Sequence, residues 1–87
     1  MKLTYEMIKP ILVRELSIND NQIKVEFKAD NQPKILSATA FVPDTAGINQ
    51  QTKDKIRQKA IVEAFRTLII FYDYDEEQKR WIFKSPY

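Results

Sequence analysis

The sequence has no histidine, no cysteine and a single glycine, Gly47, in 87 residues. Without His and Cys, the side chains that most often carry nucleophilic, metal-dependent and acid/base chemistry near neutral pH are missing. One glycine cannot build a phosphate-cradling loop, which needs several so that the backbone can approach the anion. No disulfide framework and no Cys-based zinc site can form, so stability has to come from packing. Long apolar runs are also absent. The longest, Leu68 to Tyr72, falls far short of the roughly 20 residues of a membrane span. Met1 to Glu6 shows no apolar segment after Lys2 and no small-residue cleavage site, so neither a signal peptide nor a membrane anchor is expected, and a cytoplasmic location is.

What the chain does have is apolar and aromatic residues enough for one small domain. The apolar fraction is 44%, with ten aromatics (five Phe, four Tyr and one Trp). Each aromatic can bury roughly 150–250 Å². The formal charge of +2 is too small to argue for nucleic acid or membrane by itself.

Ile23, Val25, Phe27 and Ala29 alternate with Lys24, Glu26, Lys28 and Asp30. That period of two predicts a strand with one face buried. Asn19 to Gln22 is turn chemistry, and Leu12, Leu16 and Ile18 are expected on the core face of a preceding strand. Arg14 would share that face, its stem covering apolar surface near the open end. After a turn at Asp30 to Pro33, Lys34 to Val42 predicts a third strand; Ile35, Ser37, Thr39 and Phe41 on one face and Leu36, Ala38, Ala40 and Val42 on the other carry no charge, which suggests a central or doubly covered position. A loop follows from Pro43 to about Gln50.

From Gln51 the period becomes helical. Ala60, Ile61, Ala64, Phe65, Leu68 and Tyr72 share one face, with Lys55, Lys59 and Arg66 opposite. No Gly, Pro or Asn halts this pattern before Phe71, which predicts a helix to about that residue. The competing expectation is a helix ending near Arg66 and a strand over Leu68 to Tyr74. Asp73 to Gln78 reads as an acidic loop and Arg80 to Lys84 as a short last strand, which Ser85-Pro86-Tyr87 cannot extend far. Thr4 to Lys9 predicts one helical turn ending before Pro10. The expectation is a single two-layer α+β domain: a three-stranded antiparallel meander, a long helix and a short C-terminal strand.

Three constellations bear on function. Asp73, Asp75 and Glu77 have the spacing of a calcium loop's first ligands, but Gln78 and Lys84 stand where that loop needs Gly and Glu. Ser17, Ser37 and Ser85 have no His partner, and Glu15, Glu26 and Glu63 do not converge, so no catalytic centre, metal or cofactor is expected. The basic residues Lys53, Lys55, Arg57, Lys59 and Arg66 form a candidate nucleic-acid ridge. Lys53 to Phe65 resembles the second helix of double-stranded RNA-binding domains, with lysines ahead of an alanine-rich apolar stripe. It departs from that pattern at Asp54, where a second adjacent lysine would stand, and lacks the family's histidine- and glycine-bearing strand connections. Lys79 to Lys84 interleaves aromatics with cations, a pattern that either stacks on bases or buries Trp81 and Phe83.

The surplus apolar surface on the helix, Val62, Ile69 and Ile70 with Arg66 between them, is the leading candidate for function. It predicts a non-catalytic protein-interaction module, homodimeric or part of an assembly, whose partner is itself or another protein. The alternative is nucleic-acid binding through the Lys53–Arg66 face.

Overall fold

A computed structural model describes residues 2–44 and 46–84. The expected end of the last strand at Ser85-Pro86-Tyr87 and the loop position Thr45 lie outside them. The architecture is α+β. Strands β1 (Leu12–Asn19), β2 (Gln22–Phe27) and β3 (Leu36–Phe41) form an antiparallel meander in the order β1-β2-β3. Helix α1 (Tyr5–Ile8) precedes the meander, and the long helix α2 (Gln50–Arg66) follows it. Among the described residues, strands β4 (Tyr72–Asp75) and β5 (Arg80–Phe83) pair with each other alone, as a separate C-terminal hairpin.

The helical turn at the N-terminus does not end before Pro10. It continues as a 3-10 turn over Lys9–Ile11, because Pro suits the first positions of a helical turn, where its missing N–H costs nothing. Asn49 caps α2, its side chain accepting from Thr52 N–H at 2.8 Å.

The meander departs from the expected register on β1. Leu12 pairs with Phe27, but irregularities between Leu12 and Arg14 and between Ser17 and Asn19 insert Val13 and Ile18 as extra residues. An extra residue turns every later side chain to the other face. Glu15, opposite Val25, and Ser17, opposite Ile23, therefore face the core side, while Leu16 and Ile18 are exposed. The expected core face of Leu12, Leu16 and Ile18 thus holds only at Leu12. Arg14 lies on the outer face and donates to Glu26 at 2.6 Å, which holds that carboxyl below its usual range.

The expectation for β3 also needs correction. The strand sits at the sheet edge, not its centre. Leu36, Ala38 and Ala40 pair with Phe27, Val25 and Ile23 on the helix side, whereas Ser37, Thr39 and Phe41 are exposed on the outer face. An uncharged strand can mean a doubly covered one; here it is an edge strand covered on one face.

Helix α2 ends at Arg66 rather than continuing to Phe71. Thr67 donates its hydroxyl to the Ala64 carbonyl at 2.7 Å, competing for a group the next turn would use. The chain tightens into a 3-10 turn over Ile69–Phe71 and enters β4. Tyr72 and Tyr74 then pair with Phe83 and Trp81, a gain in aromatic packing that outweighs further helix.

The two sheets meet at Phe65. Its fully buried ring lies 5.1 Å from Phe27, 5.3 Å from Tyr72 and 4.9 Å from Trp81. Polar ties fix the hairpin beside it. Trp81 Nε1 donates to the Met7 carbonyl at 2.8 Å. The Asn31 amide bonds both the N–H and the C=O of Phe83, each at 2.8 Å, as a neighbouring strand would. Buried Gln32 donates to the Phe27 and Lys34 carbonyls and accepts from Ala29 N–H and the Tyr72 hydroxyl. A buried amide so fully bonded stabilises one arrangement and penalises the rest.

Burial pushes the Tyr72 hydroxyl up to about 12 from 10.0. A raised pKa favours the protonated form in the fold, so this contribution is complete below pH 10.0 and is lost as pH rises to about 12. Urea unfolding should show Tyr72→Phe losing less stability than the parent chain across that window, by on the order of 2 kcal/mol. Parallel pH profiles for the two proteins would contradict the assignment.

Candidate functional site

The helix surface expected to be a continuous apolar patch is divided by the fold. Val62 is only 8% exposed, because the N-terminal segment reaches it: Leu3, Thr4 and Tyr5 line a shallow hollow with Val62 and Arg66. Ile69 and Ile70 lie beyond the helix in the 3-10 turn, Ile69 half-buried and Ile70 60% exposed. Arg66 is exposed, 3.4 Å from Glu63. These four residues do not form one exposed face, since α2 stops before Ile69 and α1 covers Val62.

The basic ridge is divided as well. At about 100° per residue, Lys53 and Arg57 lie half a turn from Lys55, Lys59 and Arg66 around α2. Arg57 donates to Glu15 at 2.5 Å across the gap between helix and sheet. Arg57 and Arg66 are therefore each matched by a carboxylate, and among the described residues Lys53, Lys55 and Lys59 make no ion pair. Trp81 is buried, so its face is not offered to a base.

The acidic stretch is not a loop throughout: Asp73 and Asp75 belong to β4, and the hairpin turn is confined to residues 76–79. The Asp75 carboxylate accepts from the N–H groups of Glu77 and Gln78 at 3.0 and 3.2 Å, Lys84 pairs with Asp73 at 2.9 Å, and Lys79 closes the turn at φ 53°. Among the described residues, no group of three or more acidic side chains is arranged to hold a metal ion, and no helix is long and apolar enough to cross a membrane.

The feature that residue pattern alone missed lies between α2 and the open edge of β3. A groove of about 580 Å³ has Thr39, Ala40 and Phe41 on one wall and Ile56, Ala60 and Ala64 on the other, with Lys59 and Glu63 among its lining residues. Among the described residues, nothing pairs with the outward backbone groups of its β3 wall. The register of β2 with β3 continues through Val42 N–H to the Asn21 carbonyl, at 2.7 Å. Bonded and non-bonded pairs alternate in an antiparallel ladder. Ala40, Ala38 and Leu36 therefore spend their N–H and C=O groups on β2, while Ser37, Thr39 and Phe41 point theirs out of the sheet. The only hint in the sequence was the lack of charge on Ile35 to Val42, which is equally a mark of a buried strand.

No protein-family model matches the chain, and no curated protein or solved structure is significantly similar to it.

The altered placement of the helix patch has a direct consequence. Ile70→Lys should leave stability within about 0.5 kcal/mol of the parent, as exposed sites do. Val62→Lys buries a charge against α1 and should cost well over 2 kcal/mol. Thermal melts of the two variants check this; a large loss at Ile70 would contradict the burial pattern.

Proposed function

We propose that the chain is a non-catalytic protein-interaction module whose working surface is the groove between α2 and β3. It takes an extended segment as an added strand. The observation that carries this reading is the outward row of main-chain groups at Ser37, Thr39 and Phe41 beside an apolar wall. Strand addition uses these two features together: backbone bonds supply affinity, and alternate side chains entering a pocket supply selectivity. Every second residue of the added segment meets Ile56, Ala60 and Ala64, so small or apolar side chains suit those positions. Lys59 and Glu63 favour opposite charges at the flanks.

The two edges of the meander support this reading by contrast. Edge strands of soluble domains are commonly blunted by charge, proline or bulges. β1 is blunted in this way, with two irregularities and the charged Arg14 and Glu15. β3 runs Leu-Ser-Ala-Thr-Ala-Phe in unbroken register, without charge or proline. Phe41 at its end is 69% exposed.

The nucleic-acid alternative has less support, because the cations expected to act together stand on different sides of α2, two of them beside carboxylates.

Titrating dilute protein with strand-forming decapeptides of alternating apolar pattern, followed by amide NMR, tests the proposal. Shifts should concentrate at Ser37, Thr39, Phe41, Ala60 and Ala64. Silence at β3 for every peptide, or shifts gathered at Ile70 or at Lys55 and Lys59, would overturn it.

A further inference from the structure

We infer that the segment received by this groove is β3 of a second copy of the same chain, paired antiparallel about a two-fold axis through Ala38. The inference rests on the module reading above and names its partner.

The edge chemistry restricts the register. Only residues whose main-chain groups point outward can bond across the join, so Ser37, Thr39 and Phe41, with Ile35 by continuation of the alternation, have to pair among themselves. An axis through Ala38 places Ser37 opposite Thr39 of the second copy and Ile35 opposite its Phe41. Ile35 and Phe41 are both large apolar residues left in water, at 44% and 69% exposure. In this register each covers the other on the outer face, at both ends of the join. The result joins two three-stranded sheets into one and removes the open edge from both chains.

The helix side is self-complementary too. A two-fold axis perpendicular to the sheet sets α2 antiparallel to α2 of the second copy. The groove-facing row carries Lys59 and Glu63, opposite charges four residues apart. Inverting that row brings Lys59 of one copy towards Glu63 of the other. The helix-facing side chains at the centre of the added strand are Ala38 and Ala40, small enough to enter beside Ala60 and Ala64.

The absence of cysteine makes the geometry directly testable, since one introduced thiol can cross-link only between copies. In the proposed register the two Ala38 residues form a non-bonded pair with Cα atoms about 4.5 Å apart, within disulfide range. Ala38→Cys should therefore oxidise to a covalent dimer, and Thr39→Cys, whose Cα lies more than about 7 Å from its counterpart, should not. Sedimentation across a concentration series into the millimolar range should show a dimer. Thr39→Pro deletes an outward N–H without touching the β2 ladder and should weaken association about tenfold or more. Thr39→Lys keeps the N–H but sets like charges diagonally across the axis and should also weaken association, should the proline variant not fold. Lys59→Glu should weaken the dimer at low salt, and adding Glu63→Lys should restore it.

A chain monomeric throughout the series overturns the inference. If that monomer still shows peptide-induced shifts at Ser37, Thr39 and Phe41, the module reading survives without it; if it is silent, both fall. A dimer that persists in the Thr39 variants and gives no disulfide in Ala38→Cys overturns the inference by locating the contact elsewhere.

Discussion

Phe65 is wholly enclosed one residue before the end of α2, and its ring meets Phe27 from the meander and Tyr72 and Trp81 from the hairpin. The two sheets share no strand, so this aromatic contact, with the polar ties of Asn31, Gln32 and Trp81, joins them into one body. It also explains why the helix stops where it does. One more turn of α2 would carry Tyr72 away from Gln32 and Trp81, and would leave β5 without a partner. The 3-10 turn over Ile69–Phe71 is the connection that lets the chain pass from helix to strand within a few residues of the shared ring. Buried Gln32 and the Asn31 amide then hold the hairpin in place with hydrogen bonds that a slipped arrangement could not keep.

Joining the second sheet to Phe65 has a consequence at the edge of the meander. The hairpin pairs with itself, ties to the chain through Asn31 and Trp81, and leaves β3 uncovered. A C-terminal strand could have protected that edge by adding to it. Instead, α2 leans over β3 with Ala60 and Ala64 at the contact, and a groove remains beside the unpaired main-chain groups of Ser37, Thr39 and Phe41. The functional proposal follows from this combination, since an uncharged edge beside an apolar wall has the physical properties of a strand-receiving site.

The class, the meander, the long helix and the short last strand are all readable from hydrophobic periodicity, because period two and period 3.6 differ clearly over these segments. Three features were not. The insertion of Val13 and Ile18 reverses the face of β1, and Leu16 and Ile18 fit the expected core face as well on paper as any buried residue. Gln32 sits in a turn-like stretch that reads as solvated, and only its four partners show it to be a core residue. The end of α2 carries no stop residue, so the competing reading, a helix ending near Arg66 with a strand after it, is the one that holds, and tertiary aromatic packing rather than local propensity decides it. The candidate site suffered from the same limits. Val62, Ile69 and Ile70 form a patch only on an ideal helix through Phe71, and the cations from Lys53 to Arg66 are one ridge only along the sequence, because the helical period sets Lys53 and Arg57 on the side opposite Lys55, Lys59 and Arg66. The lack of charge on β3 was visible, but composition cannot distinguish a strand covered on both faces from one awaiting cover.

Whether the outward main-chain groups of β3 are used decides what this edge does. Amide hydrogen exchange of the chain at two concentrations, dilute and concentrated, measures this residue by residue. Ala38 and Ala40, bonded to β2, should be protected at both. Ser37, Thr39 and Phe41 should exchange freely when dilute and become protected when concentrated. Protection of those three that never changes with concentration, or free exchange at every concentration while association is seen elsewhere on the surface, would contradict their use in pairing.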